Sequence, residues 1–288
     1  MSEEHVRVGD VELCFEALGA PADPTVLLVM GLGLDLSWWR DACCALLVER
    51  GFRVVRFDNR DVGRSTHFAG PGVSGMQFLR RRATPTYTLG DMADDAAGLI
   101  AHVAPEGAHV VGVSMGSFVA QELAIRHSDR VLSLVSIMGR PGDGRTGKVA
   151  RTKLLEFVRP PGKDPVEGLV QSFRRIGSAQ RTDEDDEDVR VAARRSLARE
   201  AGDGSGPGRQ LAAILTERDR TADLGRLTMP VTVIHGTRDR VILPGGGRAT
   251  AAAVPGAELV EIDGMGHDLP RWTWPTVADA VVRGVSRV

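Results

Sequence analysis

Short apolar runs alternate with helical hydrophobic patterns along most of this chain. The runs predict strands at residues 6–8, 11–18, 25–30, 53–57, 109–113, 131–137, 231–235 and 258–262. Helical patterns lie at residues 38–50, 88–103, 117–127, 244–254 and 274–285. The run at 25–30 is almost continuously apolar, which is typical of a strand buried on both faces of a sheet. The alternation predicts an α/β fold with a mostly parallel central sheet, helices on both faces, and an antiparallel hairpin, turning at Gly9-Asp10, at one edge.

The alternation breaks between residues 140 and 225. This interval contains helical patterns at 149–158, 165–176, 186–200 and 207–217, separated by stretches rich in glycine and proline. Residues 183–188 are six consecutive acids, which predict a solvated loop or a helix N-terminus. The sequence therefore predicts a discontinuous α/β core of residues 1–139 and 226–288, interrupted by an inserted helical cap of residues 140–225.

Composition narrows the class of protein further. The 288 residues are 42% hydrophobic and 26% charged, which excludes a disordered or fibrous chain and leaves one large domain or two small ones. A net charge of −2 gives no general attraction to nucleic acid or to an anionic membrane, and no apolar run approaches the ~18 residues of a membrane span. The polar, acidic start does not resemble a signal peptide. We therefore expect a soluble cytoplasmic protein, and nothing in the sequence indicates an oligomer.

The cysteines favour neither disulfides nor a metal site. There are three, Cys14, Cys43 and Cys44, an odd number with two adjacent in sequence. No Cys-x-x-Cys or similar spacing is present, so no zinc site is expected. We expect the protein to need no metal and no organic cofactor.

The strongest chemical motif is Gly112-Val113-Ser114-Met115-Gly116, which has the pattern Gly-x-Ser-x-Gly. It follows a predicted strand and opens a predicted helix, as a nucleophile elbow requires. The sharp turn lifts the serine hydroxyl clear of the sheet, and the helix N-terminus stabilises developing negative charge. Ser114 is therefore the candidate nucleophile.

A serine nucleophile needs a base, and the base needs an acid that orients it. Among the seven histidines, His267 lies in a glycine-rich loop after the last predicted strand, whereas His235 ends a strand and is expected to be a core or turn residue. Asp239 follows the strand at 231–235 and would lie at the carboxyl edge of the sheet, where ligands bind in open α/β folds. The weaker candidates for this acid are Asp143, Asp263 and Asp268.

An oxyanion hole needs two backbone N–H groups that point at one place. Met115 follows the nucleophile and supplies one amide, and Leu32, in the loop after the first parallel strand, is the natural donor of the other. Gly31 and Gly33 allow this loop a close approach and are also candidate substrate-lining residues. The predicted cap would supply apolar lining, for which the candidates are Leu154, Leu155, Phe157 and Phe173.

Two further motifs predict structure rather than chemistry. Residues 142–148 have the spacing of a phosphate-binding loop, but Val149 follows where such a loop needs a hydroxyl for Mg²⁺, so we expect a flexible loop. Residues 58–65, Asp-Asn-Arg-Asp-Val-Gly-Arg-Ser, follow a predicted strand. Their aspartates and arginines are expected to make structural hydrogen bonds in a turn.

Taken in order, five segments resemble the α/β-hydrolase superfamily across nearly the whole chain. They are residues 28–31 (Leu-Val-Met-Gly), 57–65, 112–116, 236–239 (Gly-Thr-Arg-Asp) and 264–267 (Gly-Met-Gly-His). The Met-Gly start of the oxyanion loop, Val-Gly-Val-Ser-Met-Gly and Asp-Gly-Met-Gly-His-Asp-Leu-Pro are most similar to the aclacinomycin methylesterase-like carboxylesterases. The resemblance implies Ser114 as nucleophile, Asp239 and His267 as its partners, and an α-helical lid over the pocket. The oxyanion loop continues Leu32-Gly33-Leu34 where the methylesterase has a second glycine followed by asparagine, so the substrate does not carry over.

These features predict a serine hydrolase that cleaves a carboxylic ester through an acyl-enzyme on Ser114. The expected partner is a small-molecule substrate, such as a methyl ester or another small ester of a secondary metabolite. One alternative keeps the fold with other chemistry, as in a C–C bond hydrolase, a perhydrolase, an acyltransferase or a lyase. Another is a non-catalytic ligand-binding member of the fold. Epoxide hydrolases and haloalkane dehalogenases are disfavoured, because those superfamily members typically carry an aspartate nucleophile at the position of Ser114.

Overall fold

The computed structural model describes residues 2–70, 72–73, 77, 83–148 and 164–287. Its central element is a sheet of eight strands in the order β1-β2-β4-β3-β5-β6-β7-β8. The strands are β1 (Glu4–Val8), β2 (Val11–Leu18), β3 (Thr25–Val29), β4 (Arg53–Phe57), β5 (Ala108–Val113), β6 (Val131–Ile137), β7 (Val231–Gly236) and β8 (Glu258–Ile262).

The sheet is parallel except at one edge. β1 and β2 form a hairpin, β2 pairs antiparallel with β4, and the neighbours from β4 to β8 pair in parallel. Every residue of β3, β5 and β7 is buried, as expected for strands covered on both faces. The predicted mostly parallel sheet with an antiparallel hairpin at its edge is therefore confirmed.

The helices lie between the strands and within the long connection from β6 to β7. They are α1 (Asp41–Val48), α2 (Leu89–Val103), α3 (Met115–Arg126), α4 (Pro165–Ile176), α5 (Asp183–Arg199), α6 (Gly206–Leu215), α7 (Thr221–Leu224), α8 (Gly245–Ala253) and α9 (Trp274–Val285). A capping box between Thr88 and Asp91 starts α2 where the sequence predicts. The helix predicted at 38–50 is wrong at its start. Asp35 caps a 3₁₀ turn at Leu36–Trp38, and the backbone then extends at Arg40 before α1 begins.

Apolar helix faces cover both sides of the sheet. α2 and α3 pack on one face, for example through Leu99 and Val119, and α1 and α9 pack on the other through Leu47 and Val281. β5 is therefore enclosed on both faces and held between β3 and β6. Because β3 and β5 are parallel neighbours, the loops that follow them leave the same carboxyl edge of the sheet.

Two expectations drawn from composition can be compared with the described residues. The three cysteines are buried and free in the structure. Among the residues that the structure describes, no helix combines the length and the apolar character needed to cross a membrane.

The helical segment, defined here as residues 164–225, contains α4 to α7 and lies between β6 and β7. Buried arginines fasten it to loops at the edge of the sheet. Arg199 of α5 lies 2.7 Å from Asp35 and 2.8 Å from Asp58, and Arg209 of α6 lies 2.7 Å from Asp61. Each of these side chains is at most 4% exposed. Removing one partner of such a pair would leave the other charge buried and uncompensated, at a cost of about 3–5 kcal/mol, so these arginines require their acids on the sheet.

The acidic run at residues 183–188 forms the first turns of α5, with Thr182 and Asp185 in a capping box. The helix N-terminus is therefore confirmed, but a solvated run is wrong for Asp185 and Asp186, which are buried. Asp185 accepts a hydrogen bond from the amide of Arg271 at 2.9 Å, and Asp186 lies 2.9 Å from Arg181. These partners compensate for the loss of water. The helical pattern predicted at 149–158 lies outside the described residues.

Candidate active site

Ser114 occupies a strained turn between β5 and α3. Its backbone has φ 56° and ψ −120°, in the left-handed half of the map that residues with a side chain rarely adopt. The amide of Ser114 donates to the carbonyl of Ile137 at 2.9 Å, which holds the turn to β6. The flanking glycines are required by packing: a Cβ on Gly116 would overlap the carbonyl oxygen of Val29, and one on Gly112 would overlap the carbonyl oxygen of Gly116. The Gly-x-Ser-x-Gly pattern therefore follows from the close approach of α3 to the sheet.

Ser114, His267 and Asp239 form a hydrogen-bonded line. The Oγ of Ser114 lies 2.8 Å from Nε2 of His267, and Nδ1 of His267 lies 2.7 Å from Oδ2 of Asp239. The other carboxylate oxygen of Asp239 accepts from the amides of Val241 and Ile242 at 2.8 and 2.9 Å. A carboxylate can only accept, so Nδ1 of His267 carries the proton and Nε2 offers its lone pair to the serine hydroxyl.

The environment of Asp239 keeps its carboxylate ionised. Burial alone would raise the pKa of Asp239, but electrostatic attraction to the imidazole of His267 and hydrogen bonds from His235 and His267 hold that pKa well below its ordinary value. Nε2 of His235 lies 2.8 Å from the carbonyl of Ile242 and 3.4 Å from Oδ2 of Asp239. His235 is thus the buried core residue that the sequence predicted, and it also contacts the carboxylate that orients His267.

The loop that carries His267 is clamped by the helical segment. The amide of His267 donates to the carbonyl of Ile176 at 2.8 Å. The next residue, Asp268, is 3% exposed and accepts from the amide and the hydroxyl of Ser178 at 2.8 and 2.6 Å. Its second oxygen lies 2.6 Å from the guanidinium of Arg181. The position of the imidazole therefore depends on where the helical segment sits.

The loop after β3 lies against the turn that carries the serine. A Cβ built on Gly31 would lie 3.4 Å from the Cβ of Ser114, so this loop touches the elbow. The amide of Gly33 donates to the side chain of Gln210 at 2.8 Å, whereas that of Leu32 has no acceptor within the part of the chain that the structure describes. The amide of Met115 is the first in α3 and has no intrahelical partner. Neither of the two amides expected from the sequence, those of Leu32 and Met115, therefore has a hydrogen-bond acceptor among the described residues.

Residues 58–65 support the same loop from behind. The carboxylate of Asp58 accepts from the amide of Leu36 at 2.8 Å and pairs with Arg199. The side-chain amide of Asn59 donates to the carbonyl of Met30 at 3.1 Å. The structural role predicted for this run is confirmed, and it extends further than expected because the run also receives the arginines of the helical segment.

A cavity of about 510 Å³ opens in front of Ser114 and His267. Its wall is mostly apolar and includes Trp38 and Trp39 from the loop after β3 and Leu169 of α4. Three of the lining residues expected from the sequence, Gly31, Gly33 and Phe173, are part of the wall. The other three, Leu154, Leu155 and Phe157, lie outside the described residues.

The three weaker candidates for the acid that orients His267 bind other groups. Asp143 accepts from two amides of its own turn, within the loop that has the spacing of a phosphate-binding motif. Asp263 is exposed and accepts from the hydroxyl of Thr237, and Asp268 binds the helical segment. Sequence reasoning did not identify His235, Ser178, Arg181 and Gln210 as parts of the site. The one sequence feature that could have indicated these contacts is the position of Asp268 directly after His267.

Comparisons with known proteins identify the family to which this chain belongs. Residues 24–163 match a family model described as the alpha/beta hydrolase fold. Over 292 aligned residues, the chain is 30% identical to rhodomycin D methylesterase of Streptomyces peucetius, and the alignment covers 94% of each chain. The chain therefore belongs to the α/β-hydrolase family, as its sheet order and serine turn also indicate.

One more sequence relative and one solved structure match this chain over nearly their whole length. Rhodomycin D methylesterase of Streptomyces sp. strain C5 is 29% identical, with 98% of this chain and 97% of the relative covered. The crystal structure of the enol-lactonase from Burkholderia xenovorans LB400 has a TM-score of 0.75 and 24% identity, with 98% of this chain and 100% of that chain covered. The structural likeness shows the fold. The sequence likeness confirms the resemblance to the methylesterase-like members of the family.

Proposed function

We propose that this protein hydrolyses a carboxylic ester through an acyl-enzyme on Ser114. The observation that carries the proposal is the line of hydrogen bonds from the Ser114 hydroxyl through His267 to the buried carboxylate of Asp239. The hydroxyl faces a cavity, its proton has an acceptor at 2.8 Å, and two backbone amides lie beside it. Those are the parts that acyl transfer to serine requires.

Acylation is the first half of the reaction. The oxygen of Ser114 attacks the ester carbonyl carbon while Nε2 of His267 takes the hydroxyl proton. The carbonyl oxygen becomes an oxyanion held by the amides of Leu32 and Met115. Asp239 stabilises the imidazolium that forms, and its low pKa keeps it ionised throughout. When the bond to the alcohol breaks, His267 protonates the alcohol, which leaves.

Deacylation repeats the same proton path with water as nucleophile. His267 takes a proton from water, and the resulting hydroxide attacks the acyl-enzyme at its carbonyl carbon. The second oxyanion forms in the same amide site. Collapse of this intermediate returns the proton from His267 to Ser114 and releases the carboxylic acid.

The division into core and cap belongs to this proposal. We assign residues 1–139 and 226–288 to an α/β core that carries the three reacting side chains, and residues 140–225 to a cap over the cavity. The support is that α4 and α5 provide wall residues, including Leu169 and Val189, while Ser114 and His267 sit at the sheet edge. The substrate enters between these two layers.

The substrate class follows from the relatives and from the cavity. Two relatives similar over nearly their whole length are rhodomycin D methylesterases. A cavity of about 510 Å³ lies in the range that holds small organic ligands. We propose a small-molecule ester with a small alcohol part, such as a methyl ester.

The test is replacement of the nucleophile. Ser114→Ala should lower kcat for p-nitrophenyl acetate at least about 10⁴-fold, because no other group forms the acyl-enzyme. Ser286→Ala is the matched control, since Ser286 is exposed at the end of α9 and bonds only within that helix, and it should leave kcat unchanged. A fluorophosphonate should label the wild-type protein at Ser114, as peptide mass spectrometry would show. Full activity of a folded Ser114→Ala variant would refute the proposal.

A further inference from the structure

The cavity wall carries charged groups that the proposed chemistry does not use. They are Arg40, Arg175, Arg181, Asp185 and Asp188. Three have partners in the protein: Arg181 pairs with Asp268 at 2.6 Å, Asp188 pairs with Arg271 at 2.7 Å, and Asp185 accepts backbone amides. Arg40 and Arg175 differ, because no carboxylate of the described residues lies within 4 Å of either guanidinium.

Arg40 is held in place at this wall. Its guanidinium lies 4.9 Å from the ring centroid of Trp38, and its Nη1 donates to the carbonyl of Trp38 at 3.2 Å. Trp38 in turn stacks on Phe173 of α4, with ring centroids 5.1 Å apart and an interplanar angle of 12°. A half-buried guanidinium fixed in this way keeps further N–H donors for a ligand in the cavity.

Other buried arginines of this protein meet carboxylates. Arg56 lies 2.6 Å from Glu16, Arg199 lies 2.8 Å from Asp58, and Arg209 is paired in the same way. At Arg40, burial lowers the guanidinium pKa to about 10, since the nearest carboxylates are too distant to compensate fully for the loss of water. Arg40 therefore stays charged at neutral pH, and in the part of the chain that the structure describes it lacks the counter-charge that the other three possess.

We propose that Arg40 forms an anion subsite that binds a carboxylate on the substrate at a distance from the scissile ester. The guanidinium fork matches a carboxylate, which can accept two parallel hydrogen bonds from it. A sphere with the volume of the cavity is about 10 Å across, so an ester and a carboxylate separated by a few carbons fit together inside it. The substrate class is therefore the half-ester, in which one carboxyl is esterified and another is ionised. This inference rests on the proposed ester hydrolysis.

The test compares charged and neutral esters of equal length. Monomethyl esters of succinate, glutarate, adipate, pimelate and suberate are matched with the methyl esters of the corresponding alkanoic acids. In the wild type, kcat/KM for at least one half-ester should exceed that of its neutral match by about 10- to 100-fold, the range for a charge-assisted bidentate pair. Arg40→Met should remove this preference, lower half-ester kcat/KM by the same factor, and leave the neutral esters within about twofold.

Two controls separate the subsite from general effects. Arg7→Met removes one positive charge from the exposed hairpin and should keep the half-ester preference. In a Ser114→Ala background, binding of the preferred half-ester measured by calorimetry should weaken about 10- to 100-fold when Arg40→Met is added. This binding measurement does not depend on hydrolysis of the ester.

The outcomes distinguish this inference from the proposal on which it rests. If neutral esters are hydrolysed and no half-ester is preferred at any length, the anion subsite is wrong and the ester hydrolase stands. The same conclusion follows if Arg40→Met slows both series equally. If no ester of either series is hydrolysed and Ser114 is not labelled by a fluorophosphonate, the proposed function itself fails.

Discussion

Replacing Asp268 by asparagine tests whether the helical segment positions His267. Asparagine keeps an oxygen that can accept from the amide and hydroxyl of Ser178, which lie 2.8 and 2.6 Å from the present carboxylate. Its amide group, however, would face the guanidinium of Arg181 in place of the oxygen now 2.6 Å away. One charge-assisted hydrogen bond is lost, at about 1.5–3 kcal/mol, while Arg181 keeps Asp186 at 2.9 Å. The free energy of unfolding should therefore fall by about 1.5–3 kcal/mol.

The substitution should also lower kcat of the variant that remains folded, because it displaces His267. A misplacement of about 1 Å in a reacting group can cost about 10²-fold in rate, so we expect kcat to fall about 10- to 100-fold and KM to change less than threefold. The assays are p-nitrophenyl ester kinetics and urea unfolding, both at 25 °C. Asp263→Asn is the control, because Asp263 lies on the same loop, is exposed and bonds to Thr237 rather than to the helical segment. If the two variants have kcat values within twofold of each other, the positioning role of Asp268 is refuted.

Two further predictions concern the scaffold beneath the site. Burial lowers the pKa of His109, so the unfolded chain takes up a proton below about pH 6.5 that the native state does not. The free energy of unfolding should therefore decrease as the pH falls from 7.5 to 5.5. This decrease should be less steep in the His109→Gln variant. Equal pH dependences of the two proteins in urea unfolding would contradict the prediction. Gly116→Ala would push a Cβ into the carbonyl of Val29 and should lower the free energy of unfolding by more than about 3 kcal/mol or prevent folding. Gly245→Ala places its Cβ in open space at the first residue of α8 and should stabilise by about 0.4–1 kcal/mol in the same urea measurement, because alanine reduces the conformational entropy of the unfolded chain. Similar effects of the two alanines would refute the packing argument.

The strands could be predicted closely because each is short, apolar and bounded by turns. The runs at 53–57, 131–137 and 258–262 match β4, β6 and β8 residue for residue. Helix ends were harder to predict, as at α1. There a side-chain cap by Asp35 creates a separate 3₁₀ turn, a choice that hydrophobic periodicity does not record.

The arrangement of Ser114, Asp239 and His267 could be anticipated because the fold sends the ends of parallel strands to one edge. The residues that hold the loops of the site in place could not be anticipated. Ser178 meets Gly266 across 88 residues, and Gln210 meets Gly33 across 177 residues. Such contacts depend on how the helical segment packs on the sheet, and no local pattern in the sequence specifies that packing. Arg40 was missed for a related reason, since an arginine that lacks a carboxylate partner among the described residues is recognisable only after its neighbours are known.

The buried pairs of Arg199 and Arg209 have a consequence for exchanging parts between relatives. A chimera that received the helical segment alone would bring two guanidinium groups into a sheet edge without acids to meet them. It would be stable only if the recipient also carried acids equivalent to Asp35, Asp58 and Asp61. The smallest transferable unit is therefore the segment together with the loops that follow β3 and β4 and the loop that carries His267 and Asp268. Substrate preference and oxyanion geometry should accordingly be inherited together in recombined enzymes of this family.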